Sequence, residues 1–218
     1  GTSREHTFPH SWMPTFPADS PEKPEYNDQH NLYPTIQANV NDARCNYPLG
    51  EVVTPIISFG NGKMGLDSTG NRVYEPNDAH KGAAARAMFY MTVCYNTVNG
   101  NAWNLNASIG EVCANNSSYN INYAQNQQVL KNWHFAYPPT NVDMSRNDYL
   151  DSLQGNRNPF IDNPDWVCYI DFSNMTYIAN PTIPCTTGVN SSTVAITDNQ
   201  NVFFTIFPNP SQGQFTVN

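Results

Sequence analysis

The stretch from about Asp78 to Tyr95 constrains the fold more than any other feature, because prolines interrupt most of the remaining chain. The sequence contains 17 prolines, and a proline inside a helix removes a hydrogen bond and clashes with the preceding turn. No proline lies between Asp78 and Tyr95, where alanine, methionine and aromatic residues predominate. The apolar density of this stretch predicts a helix that is buried on most of its sides.

The segments before this helix are predicted to be shorter and less regular. Five prolines within residues 1–27 exclude a long helix there. Asp28 is a candidate N-cap, which predicts a short helix over Gln29–Ala38 that Pro34 limits. Residues Gly50–Gly70 are predicted to form a strand and turns, because valine and isoleucine cluster ahead of Asn-Gly and Thr-Gly turn signals.

Two further helices are predicted after Tyr95, and the chain then changes character. One helix is expected over Tyr123–Trp133, and another from about Asn141 to Leu153, ended by Gly155. Residues 181–200 are rich in Thr, Ser, Asn and Pro, which is typical of a linker. The apolar run that follows predicts the first strand of a separate β unit that the chain does not complete.

The five cysteines favour an oxidising compartment. None forms a CxxC pair, which argues against zinc-ribbon and thioredoxin-like sites. Cys168 with Cys185 and Cys94 with Cys113 are candidate disulfides, and the odd count leaves one thiol over. Sequence alone does not fix the connectivity.

The net charge of −8 argues against a protein that holds nucleic acid by bulk electrostatics. Lysine and arginine nevertheless concentrate between residues 44 and 157 and are absent after residue 163, so a local basic cleft stays open. No run of 18 apolar residues occurs, so no membrane span is predicted.

Two polar clusters could bind a metal. Glu5 beside His6 could hold a divalent cation and deprotonate a water, although on spacing alone a plain surface position is an equally good interpretation. Asn31 could offer an amide oxygen to a hard cation such as Mg²⁺ or Ca²⁺. On its own, the cluster around Asp28 is interpreted more simply as capping and turn chemistry.

Two other clusters could contact phosphate. Lys81 and Arg86 lie on the predicted long helix, where a buried arginine needs a partner. An internal salt bridge, for example to Glu75, is favoured there over a phosphate. Residues Gln154–Asp162 are dense in donors that suit phosphate oxygens. A helix end and turn ahead of Pro159 is the alternative interpretation.

Taken together, these clusters resemble the bacterial endonuclease I family over roughly residues 4–170. The similar motifs, in chain order, are Arg4-Glu5-His6-Thr7-Phe8-Pro9, Asp28-x-His30-Asn31-Leu32-Tyr33-Pro34, Asn41-x-x-Arg44-x-Asn46, Lys81-Gly82 with Ala85-Arg86, and Gln154–Asp162. The resemblance implies an α+β fold, with a mostly helical nuclease domain around a ββα-metal (His-Me finger) core.

The resemblance also implies a role for each site residue. His6 is expected to be the general base, while Glu5 and Asn31 hold one divalent cation, Mg²⁺ first, with Ca²⁺ and Mn²⁺ as alternatives. Arg86 and Arg157 are expected to complete the catalytic site by binding the phosphate. Further contacts to nucleic acid are expected from Arg44, Asn46, Lys81, Asn156 and Asn158.

The predicted domains are a nuclease domain over residues 1–175, a linker over 176–201, and a further segment over 202–218. The last segment resembles the start of a type IX secretion sorting domain, a β-sandwich. It implies export by the type IX machinery of a Bacteroidetes-type bacterium, to the medium or the cell surface. Family members usually carry several dozen residues before the Arg-Glu-His motif. We therefore expect an N-terminal part of the nuclease fold to be missing here, or to be supplied as a separate fragment.

The sequence thus predicts a secreted, metal-dependent endonuclease that cuts DNA and RNA with little sequence preference. The alternative is a catalytically weakened relative that binds nucleic acid or serves as a structural surface protein, which the acidic charge leaves open. A secreted hydrolase of proteins or sugars has no supporting motif, since the sequence contains no HExxH.

Overall fold

The computed structural model of the protein describes residues 1–16, 23–36, 40–106 and 123–187. Helices account for 41% of these residues and strands for 19%. The fold is therefore a mixture of helix and sheet, and the expectation of a mostly helical domain is not supported.

The long helix α3 (Asp78–Tyr95) has the predicted bounds. It begins where the side chain of Asn77 accepts a hydrogen bond from the backbone N–H of Ala79, as expected of an N-cap. Five of its apolar side chains are completely inaccessible, which confirms that the helix is buried on most sides. They are Ala85, Ala87, Met88, Phe89 and Met91.

Helix α3 packs against α4 (Gln127–Ala136), and α5 (Asn141–Gln154) and α6 (Pro159–Asp162) follow in the chain. The predicted second helix begins later than expected, because Asn126 accepts hydrogen bonds from the N–H groups of Gln128 and Val129 and so caps it. The third prediction is confirmed: Thr140 and Asp143 form a capping box, and Gly155 ends α5 in the left-handed conformation.

The predicted helix over Gln29–Ala38 is wrong. Strand β2 (Leu32–Ile36) pairs antiparallel with β1 (Thr2–His6), flanked by the short helices α1 (Pro24–Asn27) and α2 (Asp42–Arg44). Instead of starting a helix, Asp28 accepts the N–H of His30 two residues on, which closes a turn. Pro34 fits this short two-stranded sheet because each of its strands is an edge strand.

The prediction for residues Gly50–Gly70 is confirmed. Strands β3 (Thr54–Phe59), β4 (Gly62–Leu66) and β5 (Arg72–Glu75) form an antiparallel sheet in that order. Strands β6 (Ile170–Asp171) and β7 (Thr176–Tyr177) pair in a small hairpin. Short 3-10 helices lie at His10–Trp12, Val98–Gly100 and Pro164–Tyr169.

The disulfide between Cys168 and Cys185 matches one candidate pair. Cys94 is a free thiol, so the other candidate, Cys94 with Cys113, is wrong. Cys45 is also disulfide-bonded.

The segment that follows β6 stays attached to the rest of the described fold. The backbone carbonyl of Cys185 accepts a 2.7 Å hydrogen bond from Gln128 in α4. The predicted linker over residues 176–201 therefore begins with a stretch that packs against the domain, and residues 188–218 lie outside the described part of the chain. No helix among the described residues is both long and apolar enough to cross a membrane.

The α3–α4 contact depends on Gly82. A Cβ at this position would collide with the backbone carbonyl oxygen of Tyr137, which follows α4, and would lie 2.9 Å from a guanidinium nitrogen of Arg86. We expect Gly82→Ala to lower the free energy of unfolding by about 1–3 kcal/mol, as overpacking typically does. Urea denaturation followed by circular dichroism measures this.

The matched control is Ala79→Gly in the exposed first turn of α3. It should cost only the helix propensity difference, about 1 kcal/mol. A Gly82→Ala variant that is more stable than this control would show that the two helices do not approach as described.

Candidate functional site

Strand β1 separates two groups of polar residues. Successive side chains in a strand point to opposite faces, so Arg4 and His6 share one face while Ser3 and Glu5 share the other. The strand ends at His6. Each face contacts a different part of the chain, and the candidate site lies where the strand ends.

His6 is held by a single backbone group. Its Nε2 lies 2.8 Å from the carbonyl oxygen of Tyr26. A carbonyl oxygen only accepts hydrogen bonds, so Nε2 carries the proton and Nδ1 keeps its lone pair. Burial lowers the pKa of His6 below its usual 6.5, and the positive charges of Arg4 and Arg44 and the nearby His10 lower it further. His6 is therefore a neutral imidazole with an available base near neutral pH.

Glu5 on the other face is paired with Arg44. The guanidinium of Arg44 lies 2.6 Å from a carboxylate oxygen of Glu5 and donates to the carbonyl oxygens of His6 at 3.2 Å and Thr7 at 2.8 Å. Arg44 is only 2% exposed. Its role in nucleic-acid binding stays a prediction, and the engagement of its donors by Glu5 and by the backbone at the end of β1 does not favour it.

A cavity of about 270 Å³ opens beside Glu5. Tyr33, Tyr74 and His80 also line it. Burial lowers the pKa of His80 to about 4, so its imidazole adds no charge to the cavity at neutral pH.

Asn31 is completely buried, and both ends of its amide bind the backbone of Phe8. Its Oδ1 accepts the N–H of Phe8 at 2.7 Å, and its Nδ2 donates to the carbonyl oxygen of Phe8 at 3.1 Å. The metal-ligand role of Asn31 stays a prediction, and a fully buried amide does not favour it. Asn41 differs, since it is half-buried and its Nδ2 donates to Ser3 Oγ at 2.9 Å, on the Glu5 face of β1.

The motif around Gln154 supports the turn that carries Asn31. The side chain of Gln154 donates to Asp28 at 3.0 Å and accepts the N–H of Gln29 at 3.1 Å. Asn156 donates to the hydroxyl of Tyr90 at 2.7 Å. Its predicted contact with nucleic acid therefore competes with a structural contact already made.

The cations predicted on α3 are both engaged inside the protein. Lys81 is 5% exposed and lies 2.8 Å from the carboxylates of Glu75 and of Asp78. Arg86 is 2% exposed and lies 3.3 Å from Asp143. The nucleic-acid contact of Lys81 and the phosphate binding of Arg86 stay predictions, and these internal ion pairs do not favour them. An internal salt bridge was the better interpretation, although Asp143 replaces Glu75 as the partner of Arg86.

The last predicted residues are similarly occupied. Arg157 is about one-third exposed, but it lies 2.7 Å from Asp148 and 2.8 Å from Asp162, so a phosphate would have to displace carboxylates. Asn158 is buried and caps α6. Its contact with nucleic acid stays a prediction, which this structural role does not favour. Asn46 is half-buried and donates to Ser11, and its contact with nucleic acid stays a prediction.

Within the described ranges, no group of three or more His, Cys, Asp or Glu side chains is placed to hold a metal ion. Any cation beside Glu5 must therefore rely on amide oxygens and water. Mg²⁺ tolerates such a site, because it commonly binds through one or two carboxylates and keeps several waters.

Sequence reasoning missed the surroundings of His6. Arg4 and Tyr26 lie beside its ring but were not assigned a role. The signal available for Arg4 was its spacing of two residues from His6, which places both on one face of a strand. Tyr26 lies twenty residues away in the chain, and nothing in the local sequence indicates that it meets His6.

Residues 2–165 match the family model described as Endonuclease I. An extracellular ribonuclease of Bacillus subtilis is 30% identical over 158 residues, which cover 72% of this chain and 51% of that protein. A periplasmic deoxyribonuclease of Aeromonas hydrophila is 30% identical over 135 residues, covering 62% of this chain and 47% of that protein. The chain spans about half the length of the curated relatives it matches.

The two bonds between Asn31 and Phe8 predict an effect on stability. Asn31→Ala leaves a buried N–H and a buried carbonyl of Phe8 without partners, at a cost of about 1–3 kcal/mol for each group. The urea midpoint, measured in EDTA to remove metal effects, should fall clearly. Asn31→Asp keeps the acceptor for the N–H but sets a buried carboxylate oxygen against the Phe8 carbonyl oxygen, so it should lower the midpoint as well. An Asn31→Ala protein as stable as the parent would argue for a ligand role alone.

Proposed function

The chain belongs to the endonuclease I family, and we propose that it is a secreted nuclease that hydrolyses phosphodiester bonds of DNA and RNA. The named relatives support both substrates, since one is an extracellular ribonuclease and another a periplasmic deoxyribonuclease. The disulfide between Cys168 and Cys185 is consistent with an oxidising location. Export through a type IX sorting domain rests on residues 202–218, which lie outside the described part of the chain.

The hydrogen bond from His6 to the Tyr26 carbonyl is the observation that carries the proposed mechanism. With Nε2 protonated, Nδ1 of His6 accepts a proton from a water molecule as that water attacks the phosphorus. The bond from phosphorus to the 3′ oxygen breaks, and the 3′ oxygen leaves and takes a proton from solvent water to become a 3′ hydroxyl. Burial keeps His6 neutral before this step, so the base is ready at neutral pH.

We extend the proposal to one divalent cation on the Glu5 face of β1, with Mg²⁺ first and Ca²⁺ or Mn²⁺ as alternatives. Glu5 supplies a carboxylate, and the Oδ1 of Asn41 accepts no hydrogen bond from the described residues. Asn41 suits this role better than Asn31, whose amide binds Phe8. Such a cation, when bound, neutralises charge on the scissile phosphate and stabilises the leaving oxygen.

Glu5 and His6 can act on one phosphate only at the end of β1. They are consecutive residues, so their side chains leave the strand from opposite faces. Arg44 fixes this end of the strand by holding the His6 and Thr7 carbonyls as well as Glu5. We therefore assign Arg44 a positioning role in the proposed site.

His6→Ala should lower the rate of plasmid nicking and of RNA cleavage by about 100-fold or more, because general-base catalysis typically contributes that much. Rates measured in excess Mg²⁺ test this. Tyr149→Ala, on the exposed surface of α5, is the control and should leave the rate unchanged. Unaltered cleavage by His6→Ala would exclude His6 as the base, while an inactive parent would favour the binding-protein alternative.

The proposed base also sets the pH dependence. Only neutral His6 accepts a proton, so the rate should fall about tenfold per pH unit once the solution is more acidic than its pKa. Because burial and the neighbouring Arg4, His10 and Arg44 lower that pKa, the midpoint of the acidic limb should lie below 6.5. Single-turnover rates across acidic pH measure it, and a midpoint above 6.5 would contradict the described environment of His6.

The cation site predicts a difference between two asparagines. Asn41→Ala should raise the Mn²⁺ concentration for half-maximal cleavage by at least about tenfold, a typical effect of altering a metal site. Calorimetric titration with Mn²⁺ should show the same weakening without any substrate. Asn174→Ala, which changes an exposed asparagine that donates to Asp171 beside the β6–β7 hairpin, is the matched control. If Asn41→Ala and the parent bound Mn²⁺ with equal affinity, Asn41 would be excluded as a ligand of the cation.

A further inference from the structure

The ten lysine and arginine residues are not equally available to a substrate. Five of them lie within 4 Å of a carboxylate, and Lys131 is buried with its amino group on the carbonyl oxygen of Ile170. Within the described ranges, four have no carboxylate partner. These are Arg4, Lys23, Arg72 and Arg146.

Two of these four cations contact Tyr26, the residue that holds His6. Arg4 is exposed, shares the His6 face of β1, and has its guanidinium 5.9 Å from the centre of the Tyr26 ring. Lys23 precedes α1, and its backbone carbonyl oxygen accepts the N–H of Tyr26 at 3.2 Å. Arg4 therefore brings a positive charge to the proposed base, in a chain whose net charge is −8.

A row of rings leads from His6 to the surface. The ring of Tyr26 lies 4.8 Å from His6 and 4.7 Å from His10, measured between centroids. His10 in turn lies 5.1 Å from Phe16, whose side chain is 43% exposed. An exposed phenylalanine at the end of such a row offers a ring face to a ligand.

We propose that Arg4, His10, Phe16, Lys23 and Tyr26 form a surface, the Tyr26 platform, that binds one unpaired strand of nucleic acid across His6. The proposal rests on the proposed function for the role of His6. Arg4 and Lys23 bind the phosphates next to the scissile one, and Phe16 stacks on a base. Positive charge combined with exposed rings is the usual means of holding a single strand. A duplex keeps its bases paired and stacked, so it offers Phe16 no base face.

The platform also assigns substrate binding to residues other than those predicted from the sequence. Arg86 and Arg157 are neutralised by Asp143 and by Asp148 with Asp162. Arg4 would reach a phosphate without breaking an ion pair. The preferred substrate is therefore single-stranded or locally unpaired DNA or RNA.

Binding is tested in a His6→Ala background, where the substrate survives. Fluorescence anisotropy of a labelled single-stranded oligonucleotide, and of the same sequence in a duplex, is measured between about 50 and 200 mM salt. Arg4→Gln and Lys23→Gln should each weaken single-strand binding several-fold. Each should also reduce the slope of log affinity against log salt by about 0.7, the value for one lost contact on a single strand.

Phe16→Ala should weaken binding of the single strand by about tenfold, as expected for loss of one stacked base, and change binding of the duplex little. Phe16→Leu keeps an apolar side chain, and so the fold, but should lose the same affinity. Arg72→Gln and Tyr149→Ala are the matched controls, because they remove an arginine without a carboxylate partner and an exposed aromatic ring elsewhere on the surface. Both should bind like the His6→Ala protein.

The platform would be overturned if Arg4→Gln and Phe16→Leu bound the single strand as the His6→Ala background does, or if the controls lost as much. These results separate it from the proposed function. A protein that binds the single strand through these residues but cleaves nothing would retain the platform and lose the hydrolysis. A protein that cleaves nucleic acid, and whose Arg4→Gln and Phe16→Leu variants bind the single strand with unchanged affinity, would retain the hydrolysis and lose the platform.

Discussion

The buried carboxylate of Asp28 is the interaction on which the site depends. It is 4% exposed, and its oxygens accept hydrogen bonds from the N–H of His30, the hydroxyls of Tyr90 and Tyr95, and the amide of Gln154. Burial and the nearby Asp28 charge raise the pKa of both tyrosines, so their hydroxyls keep their protons and donate. A buried charge is tolerated when hydrogen bonds replace its hydration. Asp28 thereby ties the turn before β2 to α3 and to the end of α5.

The turn fixed by Asp28 controls both sides of the proposed site. Immediately before it, the carbonyl of Tyr26 selects the protonated nitrogen of His6. Immediately after it, Asn31 binds the backbone of Phe8, two residues beyond His6. The orientation of His6 therefore follows from a polar network centred on Asp28, in which Arg146 also donates to the carbonyl oxygens of Gln29 and Leu32. The long helix contributes to this network through the two tyrosine hydroxyls, while its Lys81 and Arg86 are paired with carboxylates.

The sequence was sufficient to predict those helices whose ends and packing are determined by residues within or next to them. Helices α3 and α5 were predicted because apolar density, caps and Gly155 all lie within the segments themselves. Strand β2 was missed because Asp28 can cap a helix or close a turn, and its distant donors on α3 and α5 decide between them. The position of His6 at the end of β1 was not predicted from the residues around it. The ion pairs of the arginines could not be predicted, because a sequence shows how many arginines there are but not which carboxylates pack against them. For Arg86 that carboxylate is Asp143, in another helix.

The disulfide between Cys168 and Cys185 also determines how the domain responds to tension. A pulling force on the chain beyond Thr187 would first break the hydrogen bonds between residues 185–187 and α4, which are individually weak. The load would then pass through the covalent bond to Cys168 and enter the domain there. The β6–β7 hairpin, with two residues in each strand, lies within the closed loop and would carry almost none of it. The loop between Cys168 and Cys185 is thus shielded from a force on its C-terminal side, and the rest of the domain receives that force at Cys168.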